Sequence, residues 1–489
     1  MMEQDWLWDS DAFISATNGR PVGDLPEGIT GISIDTRTLQ PGEAYFAIKG
    51  ERMDGHDFVS AAMKAGAGLA VVAEEKLVAL GGIKLPLVVV RDVLGAMRRL
   101  GEAARARSRA QIIAVTGSVG KTTTKEMMRT VLSASGKVHA SAASFNNHWG
   151  VPLTLARMPD DTRFGIFEIG MNHPDEIRPL VKMVRPHVAM INNVAAAHLG
   201  AFKSIDEIAH AKCEIFEGVV PGGYGLINRD DERYSLQKKL AEQAGIEHLL
   251  SFGEKRGADF KLKSLEETAQ GSRFVAVINR KEFDVTVNAP GRHLVQNALA
   301  VLGVASLCGA DMEKSVEAFK QIVPEKGRGR RHRLKARDGG FLLIDESYNA
   351  NTASMAAALR VAGMAEKGAK GRRIAVLGDM RELGSNSERL HRSLAGPISE
   401  NGIDLVYTVG EEIAVLGAEL GPGVHAGHYA DRDAVMPVLA KSLRAGDVIM
   451  LKASNGLGFA KLVDMLREIF PEVEDALGTQ TGRKGKAGN

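Results

Sequence analysis

The chain has 489 residues, which suggests about three domains of roughly 150 residues each and excludes a single small module. Hydrophobic residues make up 44%, charged residues 25% and aromatic residues 5% of the chain, so disordered, collagen-like and disulfide-scaffold proteins are excluded and the cores must be largely aliphatic. The 62 basic and 60 acidic side chains leave a net charge of +2, which gives no electrostatic footprint for nucleic acid or an anionic membrane.

The first hundred residues predict a separate α/β unit. A Gly/Asp/Thr-rich segment at 31–58 precedes a helix-like AAMKAGAG and a strand-like LAVVAE. An Arg/Ala-rich helix around 97–110 is expected to link this unit to the next one. The chain does not open on a basic segment, no stretch reaches roughly eighteen uninterrupted apolar residues, and Cys213 and Cys308 lack metal-type or disulfide spacing. We therefore expect a cytoplasmic protein without stable membrane insertion.

From residue 112 onward, short apolar runs alternate with helix-like segments, which favours parallel sheets with helices on their faces. The apolar runs are found at 112–115, 164–170, 188–191, 224–227, 341–345 and 374–379. A basic run at 327–340 marks the next change in composition and so the next proposed domain boundary. The chain ends in a polar, basic tail. The predicted divisions are residues 1–107, 108–326, 327–477 and, for the flexible tail, 478–489.

The sharpest local pattern is a buried-type strand followed by a glycine loop and a helix-like segment, at 111–136. Its glycines let backbone N–H groups approach phosphate oxygens, and the helix start adds favourable partial charge. Lys121 reaches the outer phosphates, and Thr122 or Thr123 can bind magnesium. A strict eight-residue P-loop would have a glycine two residues before Gly117, where this chain has valine. The pattern therefore predicts a shortened phosphate loop for ATP, although the loop alone fits GTP as well.

Polar residues that follow predicted strands are candidate metal ligands. Glu168 and His198 both occupy such positions, where ligands of open parallel sheets collect, although either residue taken alone is more often structural. Lys212 lies on the apolar face of a helix that begins with a capping box at Ser204 and Glu207. Burial would lower its pKa, and a neutral amine can react with carbon dioxide to give a carbamate, which acts as a carboxylate toward magnesium. The alternative is a lysine that reaches solvent at the helix edge.

Later positions suggest contacts to nucleotide and substrate. Asn297 lies at the start of a helix-like segment, where it can read an adenine edge or cap the helix. Arg328 and Arg330 lie in a glycine-flanked basic loop, which suits either a clamp on a transferring phosphoryl group or a solvated surface. Asp345 ends a predicted strand before an Asn-rich loop. Such a loop suggests a polar substrate surface, although turn formation alone would explain its composition.

Ten ordered motifs together resemble the Mur ligases. The motifs are TGSVGKTT (116–123), SFNNHWGVPLTL (144–155), FEIGMN (167–172), AHL (197–199), AKCEIF (211–216), INRDD (227–231), HLVQNALA (293–300), GRGRR (327–331), DESYNAN (345–351) and VLGDMRELG (376–384). The resemblance runs from SIDTR (33–37) to LKASNG (451–456). It implies an α/β protein of three domains: a UDP-muramoyl-binding domain, a central P-loop ATPase of mainly parallel sheet, and a C-terminal Rossmann-like domain.

The resemblance also implies site residues. Those implied for ATP are Thr116, Gly117, Ser118, Val119, Gly120, Lys121, Thr122, Thr123, Asn297 and Asp345. Those implied for magnesium are Thr122, Glu168, His198 and a carbamylated Lys212. Those implied for the UDP-muramoyl substrate are Ser33, Asp35, Thr36, Arg37, Asn146, Asn147 and His148, and those for the incoming dipeptide are Asn349 and Asn351. The implied catalytic residues are Lys121, Lys212, Arg328 or Arg330, and Lys452.

The activity implied is that of an ATP- and Mg²⁺-dependent amide ligase of peptidoglycan synthesis, expected to be a monomer. It would join D-alanyl-D-alanine to UDP-N-acetylmuramoyl-tripeptide through an acyl phosphate, with a tripeptide that ends in either diaminopimelate or lysine. One alternative is the ligase that adds the third amino acid, but its Asp-Asn-Pro-Arg segment is absent and DESYNAN favours the dipeptide-adding activity. A folyl-polyglutamate synthetase would not explain SIDTR. A nucleotide-gated binding protein without ligase chemistry is the third alternative.

Overall fold

The structure is a computed structural model that describes residues 6–80, 85–141, 144–196 and 199–473. The chain folds into two compact units, Met1–Ile322 and Val323–Asn489. The predicted boundary at 107/108 falls inside the first unit, whereas the one at 326/327 lies close to the division between the units. The division into three domains stays a prediction, and the predicted tail at 478–489 lies outside the described residues.

The N-terminal part of the first unit is built on a mostly parallel sheet. Over the described residues, the order of its strands is Arg20–Val22, Leu87–Val90, Leu69–Ala73, Glu43–Phe46 and Gly31–Ser33. Among the described pairings of this sheet, only that of Arg20–Val22 with Leu87–Val90 is antiparallel. The strand-like LAVVAE corresponds to Leu69–Ala73, whose residues are all buried, as a central parallel strand requires. A separate antiparallel pair is formed by Trp8–Asp9 and Gly28–Ile29.

The second sheet of this unit is parallel through its centre and antiparallel at one end. In the described part of the chain its order is Lys281–Val287, Ser272–Ile278, Phe260–Glu267, His248–Gly253, Tyr224–Asn228, Val188–Ile191, Gln111–Thr116, Phe164–Glu168 and Val138–Ala140. The apolar runs predicted at 112–115, 164–170, 188–191 and 224–227 all form parallel strands here, which confirms the α/β class. The antiparallel strands after residue 260 were not predicted.

The strand that leads into the phosphate loop is buried on both faces. Ile113 and Val115 pack with the helix Lys121–Ser133, whereas Ile112 and Ala114 pack into a second core on the opposite face. Side chains of a strand alternate between faces, so a strand covered on both sides must be apolar throughout. Full burial of one such aliphatic side chain contributes about 1.5–3 kcal/mol to folding, and the strand is therefore a firm base for the loop.

Helices flank these sheets. The α-helices described in the first unit are Ser10–Thr17, Val59–Lys64, Val93–Arg107, Lys121–Ser133, Gly150–Ala156, Ile177–Val184, Ile205–Cys213, Tyr234–Gln243, Arg292–Leu307 and Met312–Ala318. The side chains predicted as the apolar stripe of the phosphate-loop helix are all buried: Met127, Met128, Val131 and Leu132. Across the part of the chain that the structure describes, none of the helices combines the length and apolar character needed to cross a lipid bilayer.

The predicted linking helix, Val93–Arg107, joins the two sheets of the first unit. At its C-terminal end Arg105 Nε donates to the carbonyl oxygen of Val184 at 2.8 Å, beside the central sheet. Arg107 Nη2 donates to the carbonyl oxygen of Leu7 at 3.0 Å, in the N-terminal part. The helix thus bonds to both parts, as its position in the sequence predicted.

The second unit has its own sheet. Its described strands lie in the order Arg330–Ala336, Gly339–Asp345, Val448–Lys452, Arg373–Gly378, Leu405–Val409 and His425–Tyr429. The first pair is antiparallel and the remaining pairs are parallel. The described α-helices of this unit are Thr352–Met364, Ser387–Arg392, Ala395–Glu400, Arg432–Ser442 and Phe459–Ile469.

The basic run at 327–340 differs from the prediction. Arg330 was expected in a loop, but it is the first residue of the strand Arg330–Ala336. His332 and Leu334 are buried while Arg333 between them is exposed, which is the period of two expected of a strand with one covered face. The loop prediction is therefore wrong for Arg330, because the density of charge concealed the alternation.

Both cysteines are buried free thiols. Cys213 and Cys308 are 4% and 7% exposed. Burial raises the pKa of each thiol to about 12, because the thiolate loses its hydration. We expect alkylation of both thiols at pH 8 to be at least about a hundredfold slower than that of free cysteine. Mass spectrometry of timed iodoacetamide samples measures this, with a denatured sample as the control; fast labelling of either thiol in the native protein would contradict it.

Candidate active site

The phosphate loop, residues 117–120, joins its strand to the helix Lys121–Ser133 as predicted. Gly120 has φ +81°, and a Cβ there would lie 3.0 Å from Asn297 Nδ2. Backbone conformation and space therefore both favour glycine at this position. Among the described residues, no side chain caps the start of the helix. The helix therefore begins directly at the glycine loop, which is the arrangement that binds phosphate.

Two asparagines at the end of the neighbouring strand hold the loop in shape. Asn193 Oδ1 accepts from the N–H of Val119 at 3.0 Å, and Asn193 Nδ2 donates to the carbonyl oxygen of Val119 at 3.0 Å. Asn192 Nδ2 donates to Thr124 Oγ1 at 2.7 Å and to Asn297 Oδ1 at 3.3 Å. Both backbone polar groups of Val119 are therefore held by one side chain, and Asn192 connects the phosphate-loop helix to Asn297.

The side chains at the start of the helix face the loop and a neighbouring segment of the same chain. Lys121 Nζ donates to the carbonyl oxygen of Gly117 at 2.7 Å, so its ammonium lies over the loop. Thr122 is buried, and its Oγ1 lies 3.3 Å from Ser144 Oγ. These positions place a cation and a hydroxyl next to the helix N-terminus, where the predicted phosphate and magnesium contacts require them.

Glu168 presents one carboxylate oxygen that no protein group satisfies in the described residues. The residue ends the strand Phe164–Glu168 and is 2% exposed. Asn146 Nδ2 donates to Oε1 at 2.7 Å, whereas Oε2 is buried and without a hydrogen-bond partner in the described part of the chain. An unsatisfied buried carboxylate oxygen is costly, and it is the donor that a hard divalent cation prefers.

Lys212 lies where the sequence placed it. It is 2% exposed on the helix Ile205–Cys213, so the alternative of a lysine reaching solvent is wrong. The helix begins as predicted, because Ser204 Oγ accepts from the N–H of Glu207 at 3.1 Å. Burial, together with the nearby charge of Lys121, lowers the pKa of Lys212 well below its usual range.

One observation favours a magnesium ion at the predicted ligands. Over the described residues, no cluster of three or more His, Cys, Asp or Glu side chains could hold a metal. The predicted set instead combines Glu168, the Thr122 hydroxyl and a modified Lys212, and the free oxygen of Glu168 is the observation that favours it. The fourth predicted ligand, His198, lies outside the described residues.

Asn297 does not cap its helix. It lies in the second turn of Arg292–Leu307, is 7% exposed and accepts from Asn192 as described above. The capping alternative is therefore wrong. Its amide lies against Gly120, so a nucleotide on the phosphate loop would have this amide beside it.

The predicted substrate segment 33–37 forms a turn at the end of a strand. Arg37 Nη2 donates to Asp35 Oδ2 at 2.6 Å, and the guanidinium lowers the pKa of that carboxyl. The Arg37 side chain is 86% exposed and available to a ligand. Arg157 Nε donates to the carbonyl oxygen of Ile32 at 2.7 Å, which ties this turn to the central part of the unit.

The predicted stretch from Asn146 to His148 divides into three environments. Asn146 holds Glu168, as described above. Asn147 Oδ1 accepts from the N–H of Gly150 at 3.0 Å and so stabilises the start of a helix. His148 is exposed. The stretch therefore lies beside the strand end that carries Glu168, with one ring open to solvent.

A cavity of about 440 Å³ beside the helix Ile205–Cys213 contains none of the predicted site residues. Its acidic lining has a structural explanation. Glu214 accepts from the N–H groups of Asp175 at 2.8 Å and Arg178 at 3.0 Å, at the start of the helix Ile177–Val184. Burial raises the pKa of Glu214. Its carboxylate acts as a helix cap.

In the second unit, Asp345 organises its own loop. It is 0% exposed at the end of the strand Gly339–Asp345. Asp345 Oδ2 accepts from the N–H of Gly327 at 2.8 Å, and Oδ1 accepts from the N–H of Ser347 at 3.1 Å and from its hydroxyl at 2.5 Å. Both oxygens are engaged, so the carboxylate fixes two loops of this unit against each other.

Lys452 pairs with a carboxylate that was not among the predicted site residues. Its Nζ donates to the carbonyl oxygen of Asn349 at 2.9 Å and lies 3.4 Å from Glu346 Oε2. Burial lowers the pKa of Lys452 and raises the pKa of Glu346. The predicted lysine is thus held beside the Asn-rich loop.

The remaining predicted residues of this unit are partly engaged. The guanidinium of Arg328 lies over the ring of Tyr348, 3.9 Å from its centroid. Arg330 is exposed. Asn351 Oδ1 accepts from the N–H of Ser354 at 2.9 Å and caps a helix, so its side chain has a structural role.

Three family models match successive parts of the chain. The Mur ligase family, catalytic domain, matches residues 28–116, and the Mur ligase middle domain matches residues 115–305. The Mur ligase, glutamate ligase domain, matches residues 329–455.

Two curated relatives extend the match over most of the chain. The UDP-N-acetylmuramoyl-tripeptide--D-alanyl-D-alanine ligase of Rickettsia prowazekii is 32% identical over 433 residues, which are 88% of this chain and 94% of the relative. The Escherichia coli protein of the same name is 34% identical over 442 residues, which are 89% of this chain and 93% of the relative. The chain belongs to the Mur ligase family.

Solved structures agree with this assignment. MurF from Acinetobacter baumannii superposes on this Mur ligase with a TM-score of 0.81 and 29% identity, and the match covers 94% of this chain and 99% of that one. The α/β fold inferred from the sequence is thereby confirmed.

Sequence reasoning missed two residues that shape the nucleotide side of this Mur ligase. Asn192 and Asn193 directly follow the apolar run at 188–191, which is the same strand-end position that pointed to Glu168. Applying that rule to every strand end would have found both. Their contacts to the loop depend on which strands are neighbours, and the strand order becomes visible only in the fold.

Proposed function

We propose that this Mur ligase joins D-alanyl-D-alanine to UDP-N-acetylmuramoyl-tripeptide in an ATP-dependent reaction. The observation that carries the proposal is the match to relatives with the name of that ligase, at 32–34% identity over 93–94% of their length. The first unit supports it, because the strand that ends at Glu168 pairs with the strand that leads into the phosphate loop, and the charge of Lys121 acts on the buried amine of Lys212.

In the first proposed step, the terminal carboxylate of the tripeptide attacks the γ-phosphorus of ATP. A bond from the carboxylate oxygen to phosphorus forms while the bond to the β,γ-bridging oxygen breaks, which gives an acyl phosphate and ADP. The step is needed because a carboxylate does not react with amines until one oxygen becomes a good leaving group. Lys121 and the first N–H groups of its helix would hold the phosphate oxygens and offset their developing charge.

In the second proposed step, the neutral amine of D-alanyl-D-alanine attacks the acyl carbonyl. A carbon–nitrogen bond forms, the bond to the phosphate oxygen breaks, and the amine releases its proton. The products are UDP-N-acetylmuramoyl-pentapeptide, ADP and phosphate. Exclusion of water matters here, because water would otherwise hydrolyse the acyl phosphate.

The proposal assigns the magnesium contacts to Thr122, Glu168, His198 and Lys212, the last as a carbamate. Bound magnesium would neutralise charge on the phosphate oxygens. Lys212 suits carbamate formation because its amine is buried and its pKa is lowered, and only a neutral amine adds to carbon dioxide. The residues implied for the muramoyl substrate, the dipeptide and the second unit keep the roles given under the resemblance, as part of this proposal.

The test is a phosphate-release assay on the purified chain. ATP, Mg²⁺, the UDP-tripeptide and D-alanyl-D-alanine are supplied together and then with each one omitted. We expect phosphate and pentapeptide in equal amounts, and no phosphate when any component is missing. Tripeptides ending in diaminopimelate and in lysine are run in parallel to find the preferred one.

Replacing the UDP-tripeptide and D-alanyl-D-alanine with other substrates distinguishes the alternatives. Product from a UDP-muramoyl-dipeptide with a free diamino acid would identify the preceding ligase instead, and product from a folate with glutamate would identify a folyl-polyglutamate synthetase. Nucleotide binding without phosphate release in any mixture would favour a non-catalytic role. Each of these outcomes contradicts the proposal.

A further inference from the structure

Asn192 is a buried amide beside the phosphate loop to which the proposed reaction gives no role. It follows the strand Val188–Ile191 and is 2% exposed. Its backbone is held on both sides, because its N–H donates to the carbonyl oxygen of Thr116 at 2.9 Å and its carbonyl oxygen accepts from Asn228 Nδ2 at 3.2 Å. A buried amide is costly unless its polar groups find partners. The partners of the side chain therefore indicate what Asn192 does.

The donor group of this side chain faces three oxygen atoms. Asn192 Nδ2 donates to Thr124 Oγ1 at 2.7 Å and to Asn297 Oδ1 at 3.3 Å. The carbonyl oxygen of Val119 lies 3.5 Å from the same nitrogen. A carbonyl oxygen cannot donate, so this side of the amide must carry the N–H groups. Reversal would also move both N–H groups to the opposite side, where Oδ1 is buried and finds no partner among the described residues. The orientation of the Asn192 amide is therefore fixed.

A fixed donor on Asn192 also fixes the amide of Asn297. Asn297 must present Oδ1 to this donor, because its other polar group, Nδ2, is itself a donor. Both amides lie against the start of the phosphate-loop helix. A Cβ on Gly120 would be 3.1 Å from Asn192 Nδ2 and 3.0 Å from Asn297 Nδ2. A nucleotide held by the loop would thus meet an Asn297 amide whose donor and acceptor sides are already set.

We propose that Asn192 is a positioning residue that holds the Asn297 amide in one orientation and thereby makes the nucleotide site select adenine over a 6-oxopurine. The inference rests on the proposed function and on a contact between Asn297 and the base of ATP. An asparagine amide forms two hydrogen bonds with adenine, because Nδ2 donates to N7 and Oδ1 accepts from the 6-amino group. Oδ1 can accept this bond beside the one from Asn192, since a carbonyl oxygen has two lone pairs. A 6-oxopurine carries an oxygen at that position, which Oδ1 would repel.

The test compares ADP with inosine diphosphate, which has the same ribose and phosphates but an oxygen at position 6 of the base. Isothermal titration calorimetry of the full chain with Mg²⁺ gives the Kd of each nucleotide, and the selectivity is the ratio of the two values. We expect the wild type to bind ADP at least about tenfold more tightly. In Asn192→Leu, which keeps the approximate volume without a donor, the selectivity should fall at least about fivefold, because the Asn297 amide can then reverse. The Kd of pyrophosphate, which carries no base, should change less than about threefold, since the loop itself is not altered.

Asn228→Leu is the matched control. Asn228 ends the neighbouring strand Tyr224–Asn228, is 6% exposed, and donates to the backbone of Asn192 rather than to its side chain. The variant removes a similarly buried amide and leaves the contact between Asn192 and Asn297 in place. Its selectivity should stay within about twofold of wild type, because the hydrogen bond that orients Asn297 is kept. An equal loss of selectivity in Asn228→Leu and Asn192→Leu would assign the effect to a general loosening of the strand ends and overturn the proposal.

The remaining outcomes separate this inference from the proposed function. Wild-type selectivity in a folded Asn192→Leu, as judged by circular dichroism, would overturn the positioning role and leave the proposed function standing. Equal affinity of the wild type for the two nucleotides would do the same. A wild type that binds neither nucleotide would overturn the nucleotide site, and the proposed function would fail with this inference.

A second variant covers the case in which Asn192→Leu does not fold. Asn192→Asp has the same shape, and its carboxylate presents only acceptors to Asn297. Its added charge acts equally on two nucleotides with the same phosphates, so it cancels in the ratio of their Kd values. The selectivity should again fall at least about fivefold, and an unchanged selectivity would overturn the proposal.

Discussion

Replacing Lys121 with alanine is expected to reduce phosphate release at least about a hundredfold. The ammonium lies over the phosphate loop, 2.7 Å from the carbonyl oxygen of Gly117, and the variant removes the cation next to the helix N-terminus. The charge that develops on the transferring phosphoryl group would then be met by backbone N–H groups alone. The measurement is steady-state phosphate release with ATP, Mg²⁺ and both substrates at saturation.

Lys238→Ala is a suitable control for the loss of a lysine. Lys238 is 52% exposed and lies 3.8 Å from Glu242 on an outer helix. Its removal should leave phosphate release within about twofold of wild type, because exposed ion pairs contribute little. Activity of Lys121→Ala within about tenfold of wild type would contradict the role proposed for Lys121.

Replacing Lys212 with alanine is expected to cause a comparable loss of phosphate release. Unlike Lys121→Ala, this variant should respond to added carboxylic acids, which tests whether Lys212 acts as a carbamate. The variant removes the amine that the proposal converts to a carbamate, so a negatively charged ligand oxygen is lost from the metal site. It also leaves a space at a position that is 2% exposed in the wild type. A short-chain carboxylic acid can enter such a space and supply the missing oxygen. We expect acetate or propionate to raise the activity of Lys212→Ala at least about tenfold, measured by phosphate release at constant ionic strength.

Lys212→Met separates chemical rescue from a general salt effect. Its side chain fills the space without supplying an oxygen, so added acid should not restore activity. Depletion of carbon dioxide should inactivate the wild-type enzyme, and added bicarbonate should restore it. Indifference of Lys212→Ala to every acid, together with a wild type that ignores carbon dioxide, would exclude the carbamate.

The parallel strands were predictable because the pattern that indicates them lies in residues next to one another in the sequence. A strand covered on both faces must be apolar at every position, so the runs at 112–115 and 188–191 can be identified as strands from the sequence. The burial of Lys212 was predictable for a related reason, since its spacing from Ile208 and Phe216 placed it on the apolar face of a helix. These features depend on neighbours along the chain.

The features that were missed depend on neighbours in space. Arg330 begins a strand whose buried positions were hidden in a run of charge. Asn193 reaches Val119 only because the strands before them are adjacent in the sheet. Asp345 holds the N–H of Gly327, a contact between two segments that the motif containing Asp345 does not show. Spacing along the sequence identified the candidate side chains. It did not show which of them make hydrogen bonds to other parts of the folded chain.

The two hydrogen bonds between the Asn193 side chain and the backbone of Val119 have a thermodynamic consequence. A flexible glycine loop would lose conformational entropy each time a nucleotide bound, at about 1–2 kcal/mol for each residue ordered. Here that loss occurs once, during folding, because the loop is already clamped between a buried strand and a helix. Affinity for the triphosphate can then approach the full strength of its contacts, as in other rigid receptors.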